Sequence, residues 1–386
     1  MSQQNESVDG LWQVIEEILA AQQPMALAVT GGGSLAVNWL LDHTGASRAI
    51  IDAQIPYHPQ AVSAYLGQEG PHGATAETAR CLALAAAERA CELSANPDTI
   101  GVGITAALTT SRQRRGEDRA HIAIRAGGAY HSTTIHFQKQ DADRHEQEKI
   151  LSLGLIDRLA QILGTQRISS GSYSESDTQQ RQDRVVPALE ELLAGAADVV
   201  ELTTEGSTRN PDRDERLLIA GSFNPLHDGH RGLTTAAQEL SGRVASLELS
   251  IRNVDKPSLS YRQTLDRWDG VSSEGFGLLV TREPTFDGKA RLFPGCDFAI
   301  GYDTAIRVLE PRYYGSEQDM KRALDALLDG GSRFFVAGRL CEGDYRSLTS
   351  LDVPSRYAAL FVEIPEQAFR ADISSTQIRH TRADST

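Results

Sequence analysis

A chain of 386 residues exceeds the size at which a single hydrophobic core stops growing, so its length predicts two domains. Its 52 acidic and 38 basic side chains give a formal net charge of −14, which argues against nucleic acid or an anionic membrane as partner. Cys81, Cys91, Cys296 and Cys341 form no CxxC pair, no apolar run approaches the roughly 20 residues of a membrane span, and the N-terminus MSQQNESVDG is polar, all of which predicts a reduced, cytoplasmic protein.

LWQVIEEILAAQ sets Leu11, Val14, Ile15 and Ile18 on one helical face. MALAVT (25–30) follows as a buried strand, GGGS turns the chain, and LAVNWLLDHTG continues as a helix ending at Gly45. An alanine-rich helix is predicted over 75–93 and strands over 99–105, 120–126 and 130–138, the last two alternating with period 2 around a Gly-Gly turn. A charged helix from about Asp141 to Leu163 closes this half. The Ser/Gln-rich stretch 164–183 lacks apolar periodicity and reads as a linker, and 185–215, with a helix near VVPALEELLAGAA, is left unassigned to either side. The organisation predicted is therefore a domain over 1–164, a linker region over 165–215 and a second domain over 216–386. In the second domain, strands at 216–220, 245–251, 275–280, 297–301, 333–338 and 359–364 alternate with helices, the pattern of a doubly wound α/β fold with a parallel sheet. Both domains read as α/β, and no internal repeat relates them.

GSFNPLHDGH (221–230) stands at the carboxyl end of the first of these strands, where ligands of such sheets bind. Three readings are open. His227 and His230 with Asp228 could hold a metal, but no third ligand lies at a recognisable spacing and HExxH is absent, so no metal is assigned. An ordinary turn leaves two histidines and two glycines without a purpose. A phosphate site uses more of the residues. Gly221 and Ser222 turn the chain, Pro225 stiffens the approach, and Gly229 lets a ligand come close. A helix starting near Asp228 would aim its N–H groups and positive dipole end at an anion, and the two imidazoles can donate to phosphate oxygens. RADISSTQIRH (370–380) adds Ser374, Ser375 and Thr376 at a predicted helix start, with Arg379 one turn on, a second phosphate clamp.

Together these two motifs resemble the HxGH nucleotidyltransferase superfamily, and within it the nicotinamide/nicotinate mononucleotide adenylyltransferases, over roughly residues 215–386. The resemblance implies a Rossmann-like sheet of the nucleotidyltransferase α/β phosphodiesterase type. It also implies transfer of AMP from ATP, with Mg²⁺, to a phosphorylated acceptor with release of pyrophosphate. It further implies that His227 and His230 contact the ATP phosphates, that Gly221, Ser222, Phe223, Asn224 and Gly229 line the nucleotide pocket, and that Ser375, Thr376 and Arg379 hold the leaving phosphates. GYDTAIRVL would bring Gly301 and Asp303 to the ribose, NVDKP would bring Lys256 to the phosphates, and Arg262 sits where a family arginine helps. The chain departs from the pattern where many such enzymes carry a tryptophan that stacks on the pyridine ring. Here EPRYYG offers Tyr313 or Tyr314. Another phosphorylated acceptor, or CTP in place of ATP, therefore stays open, as does a binding protein that senses pyridine nucleotides without turnover.

The N-terminal half resembles the CinA C-terminal, nicotinamide-nucleotide amidase-like domain over roughly residues 10–163, through AVTGGGSLAVNWLLDHTGAS, PYHPQAVSAYLG and HGATAETARCLALAAAERA. The resemblance puts Thr30, with Ser34 as an alternative, at the family's nucleophilic serine and Tyr57 at its tyrosine, but the family's lysine falls on Val62 and its GIAGP segment has become ITAALTT. Valine cannot activate a hydroxyl, so the expectation is a domain that has lost amidase activity and serves ligand binding or contacts in a homo-oligomer. TGGGS is not a Walker A loop, GVG at 101–103 carries little weight as a dinucleotide fingerprint, and His121, His131 and His136 read as ordinary sheet residues. The partners predicted are small-molecule nucleotides.

Overall fold

Alternation along MALAVT sends Met25, Leu27 and Val29 to one side of a strand and Ala26 and Ala28 to the other, and both sides are buried. A strand covered on both faces belongs at the centre of a sheet between helical layers. The computed structural model describes residues 2–110, 116–137, 143–168, 178–212, 216–254, 257–341 and 344–370, with side chains from Gly10 onward. The chain divides into two units, Met1–Val185 and Val186–Thr386.

The first unit runs α1 (Ser2–Ala20), β1 (Met25–Thr30), α2 (Ser34–Asp42), β2 (Ile50–Gln54), α3 (Pro59–Leu66), α4 (Ala76–Ser94), β3 (Ile100–Ala107), β4 (Asp118–Ala126), β5 (Ala129–Phe137), α5 (Arg144–Leu163) and β6 (Thr178–Arg184). Its sheet has the order β2-β1-β3-β4-β5-β6, with β1 parallel to β2 and β3 and the remaining pairs antiparallel. Helices α1, α2 and α5 cover one face of β1, while α4 covers the other. The GVG of β3 has a packing explanation. A Cβ at Gly101 would lie 2.0 Å from the Ala83 carbonyl oxygen and one at Gly103 2.1 Å from that of Ala79, so the bare backbone is what lets α4 approach.

The second unit runs α6 (Pro187–Ala194), β7 (Val199–Thr203), β8 (Gly206–Arg209), β9 (Leu217–Ala220), α7 (Asp228–Ser241), β10 (Ala245–Ser250), α8 (Tyr261–Ser272), β11 (Leu278–Thr281), α9 (Phe286–Leu292), β12 (Asp297–Gly301), α10 (Tyr302–Val308), α11 (Glu317–Asp329), β13 (Phe334–Ala337), β14 (Arg339–Cys341), β15 (Asp344–Arg346) and β16 (Phe361–Ile364). Its eight-stranded sheet has the order β16-β13-β12-β9-β10-β11-β7-β8. The six strands from β16 to β11 are parallel, and β7 and β8 extend the sheet antiparallel. Under α9, the Glu248 carboxylate is wholly buried and accepts from Lys289 Nζ and Thr281 Oγ1, each at 2.6 Å, a geometry that compensates the burial of both charges.

The expected linker over 165–215 needs correction. It contains β6, paired along its length with β5, and then α6, β7 and β8, the last two part of the second sheet. TQQRQDR carries no apolar alternation because β6 is an edge strand with only Asp183 buried, so backbone ladder bonds rather than side-chain burial hold it. Residues 50–54 and 59–66 form β2 and α3, elements too short and too weakly patterned to stand out in the sequence. Among the described residues, no helix is long and apolar enough to cross a membrane.

Candidate active site

From β9 the chain winds outward through β10 and β11, and it then crosses back to lay β12, β13 and β16 on the other side of β9. The strand order reverses between β9 and β12, and the crevice outside the carboxyl ends of those two strands is where an open α/β sheet binds ligands. The turn 221–227 leaves the end of β9, and Gly301, Tyr302 and Asp303 leave the end of β12. Topology therefore brings the histidine turn and the Gly-Tyr-Asp segment to one crevice.

Gly221 N–H donates to the Glu248 carbonyl at 3.0 Å and keeps the start of the turn tied to β10. Phe223 has a positive φ of 44°, and the Asn224–Pro225 peptide is cis. The Phe223 ring is 1% exposed, lies under Gly221, and packs on the His230 ring with centroids 5.1 Å apart. Its side chain is therefore the floor of the turn. Asn224 is half-buried, Ser222 is exposed, and Gly229 is buried in the first turn of α7.

His227 is the N-cap of α7, and its backbone N–H donates to His230 Nδ1 at 3.3 Å. An Nδ1 that accepts is unprotonated, which assigns the proton of the neutral imidazole to Nε2. The two rings lie 3.9 Å apart between centroids. Burial first, then the neighbouring His227, pushes His230 down to about 4, and burial also lowers His227. Both are neutral donors at pH 7 at the positive end of a helix. Asp228, next to them, is exposed and pairs with Arg231, which also pairs with Glu274. Its carboxylate is therefore engaged away from the metal arrangement weighed above, and among the described residues no three His, Cys, Asp or Glu side chains gather as a metal group.

Gly301 is the exposed N-cap of α10, and Asp303 in its first turn forms an ion pair with Arg339 of β14. No local spacing points to Arg339, which reaches Asp303 only through the β13–β14 connection. Arg262 pairs with Asp266 one turn along α8. An open cleft is lined by Asn253, Thr285, Phe286, Arg307, Tyr313 and Tyr314. These residues follow the carboxyl ends of β10, β11 and β12, so the cleft opens on the same edge of the sheet as the histidine turn. Arg312 stacks over the Tyr313 ring at 4.8 Å, and the Tyr314 hydroxyl donates to the Val308 carbonyl at 3.0 Å. Lys256 and the motif residues Ser374, Ser375, Thr376 and Arg379 lie outside the described residues.

In the first unit, an open cleft is lined by Thr30, Gly31, Ser34, Tyr57, Arg144 and Glu148, among others. Tyr57 is 68% exposed at its rim. Gly31 has φ 76°, and a Cβ there would lie 2.1 Å from the Ala106 carbonyl oxygen. The helix that follows has its N-terminus filled from α5. Glu148 accepts from Gly33 N and Leu35 N at 2.9 Å each and from Ser34 Oγ at 3.3 Å, and Ser152 Oγ accepts from Ala36 N at 3.1 Å. Val62 is 4% exposed and packs with Ala26, Ala28 and Leu82 rather than lining the cleft. Arg144, Glu148 and His145 come from a helix more than a hundred residues downstream, and no local pattern announces them.

No protein-family model matches the chain. Among solved structures, a competence-damaged protein (CinA) superfamily protein of Escherichia coli is 18% identical and covers 40% of this chain and 87% of its own, with a TM-score of 0.32. The competence/damage inducible protein CihA of Agrobacterium tumefaciens is 16% identical and covers 40% of this chain and 92% of its own, with a TM-score of 0.30. A Gloeobacter violaceus protein named "Probable nicotinate-nucleotide adenylyltransferase" is 28% identical over 182 residues, 44% of this chain and 84% of that protein. Over that part of its length the chain is thus similar to a nucleotide adenylyltransferase, the class its histidine turn resembles.

Proposed function

We propose that the second unit is a nucleotidyltransferase that moves AMP from MgATP to the phosphate of nicotinate or nicotinamide mononucleotide and releases pyrophosphate. The observation that carries this reading is the pair of neutral imidazoles held on the N-terminus of α7 at the switch point of a parallel sheet. An acceptor phosphate oxygen attacks the α-phosphorus. The new P–O bond forms as the bond to the bridging oxygen breaks, and that oxygen leaves with its electron pair as pyrophosphate. Such a reaction asks for positioning and for donors that meet growing negative charge. His227 and His230 donate to the phosphates. Gly301 and Asp303 meet the ribose, which requires Asp303 to share or release Arg339. Lys256, Ser375, Thr376 and Arg379 hold the departing phosphates. Mg²⁺, brought in with ATP as substrate, would supply charge neutralisation on the phosphates. The tyrosine-lined cleft takes the acceptor's ring.

For the first unit we propose ligand binding or subunit contacts without deamidation. Position 62 is a core valine, and Glu148 takes helix N–H groups that would otherwise steady an oxyanion at Thr30. The whole reading is tested by supplying MgATP or MgCTP with a panel of phosphorylated acceptors. Equimolar dinucleotide and pyrophosphate from ATP with either pyridine mononucleotide are expected. Pyrophosphate with CTP or another acceptor alone reassigns the substrate, and none from any pair rejects the reading.

A further inference from the structure

Of the described residues that line the tyrosine cleft, Arg307 alone is ionised at neutral pH. It stands exposed in the last turn of α10. The acidic groups nearest to it in the chain are engaged elsewhere. Asp303, four residues before, pairs with Arg339, and Glu310, three residues after, pairs with Arg312. Among the described residues no carboxylate pairs with Arg307, whose guanidinium carbon lies 6.0 Å from the centre of the Tyr313 ring. Two hydroxyl groups of the wall are already spent on the backbone. Tyr314 donates to the Val308 carbonyl at 3.0 Å, and Thr285 Oγ1 accepts from Gly288 N at 3.4 Å.

Opposing the dipole at the end of α10 needs only a positive charge, which lysine would supply as well. A planar guanidinium beside an aromatic ring offers more, a two-pronged fork for a carboxylate that enters with a ring of its own. The two pyridine mononucleotides differ in that group. Both carry a positive pyridinium, which the carboxylate of the acid neutralises and the amide does not. A lone cation in the cleft therefore attracts the one and repels the other. We infer that Arg307 is the specificity-determining residue of the cleft, binding the ring carboxylate and so selecting nicotinate over nicotinamide mononucleotide. This inference rests on the nucleotidyltransferase reading and deepens it. Arg307 follows Asp303 by one turn, about 6 Å along the axis, so α10 meets the nucleotide's ribose with its first turn and the acceptor's ring with its last.

The test is pyrophosphate release by the full chain with MgATP and each mononucleotide in turn, in wild type, Arg307→Ala and Arg307→Lys, with unfolding midpoints alongside. Wild type is expected to favour the acid over the amide in kcat/KM by about tenfold to a hundredfold, the scale of one charge-assisted pair. Arg307→Ala should erase that preference by raising KM for the acid, with KM for MgATP in place. Arg307→Lys keeps the charge at the helix end and loses the fork, so it should hold the wild-type unfolding midpoint but only part of the preference. If Arg307→Ala weakens both acceptors alike, the arginine holds a group they share, such as the phosphate, and the assignment is wrong. It is equally wrong if the preference survives in Arg307→Ala, or if wild type has none. If wild type releases no pyrophosphate from any pair of nucleotide and acceptor, the reading beneath is wrong and the assignment falls with it.

Discussion

The turns after β1 and after β9 are made of similar parts, glycines between a buried strand and a helix, and they end differently. At α2 the N-terminal N–H groups are taken by Glu148 and Ser152 of α5. At α7 the cap is a histidine pair whose second ring accepts from the N-cap N–H. A glycine-rich strand-to-helix turn is therefore not yet a phosphate site. The deciding feature is whether another element has already supplied the anion.

The largest effect that could break this comparison is chemical. His230→Ala should lower pyrophosphate release by about 10²–10³-fold, the scale of losing one preorganised donor, whereas Thr30→Ala should leave release unchanged. Next, Gly31→Ala forces a side chain onto φ 76° and against the Ala106 carbonyl, and should destabilise the first unit by about 3 kcal/mol in urea unfolding. Glu148→Ala converts the filled turn into an open one. It should cost about 1–2 kcal/mol, part of which millimolar phosphate restores by binding the freed N–H groups, and an absent phosphate effect would mean that the carboxylate was not occupying an anion site.

The smallest effect is on acid stability. His121 and His230 are both pushed down to about 4 by burial, below an unfolded value near 6.5, so the folded state binds fewer protons between those limits. Stability is complete above about 6.5 and falls as pH drops towards 4. His121→Gln should flatten that fall in the first unit and His230→Gln in the second, followed by unfolding midpoints across the range.

Much of this was legible in the sequence. Apolar runs marked β1, β3 and the six parallel strands β9 to β13 and β16, and the histidine turn stood where a parallel sheet opens. Edge strand β6 escaped because it buries almost nothing, and β7 because five residues of VVELT resemble the tail of the preceding helix. Within the site, only packing reveals that the Phe223 ring turns inward under Gly221. Glu148 and Arg339 are brought in by tertiary contacts over 115 and 36 residues, and no local spacing can encode that.

The central claim, that the open turn handles phosphates and the filled one does not, is tested most directly by ring-nitrogen NMR of the ten histidines during titration with MgATP. The His227 and His230 signals are expected to shift together and saturate with the nucleotide, while His121 and His131 in the sheet of the first unit stay put. Saturating MgATP and MgCTP that leave His227 and His230 unmoved would contradict it.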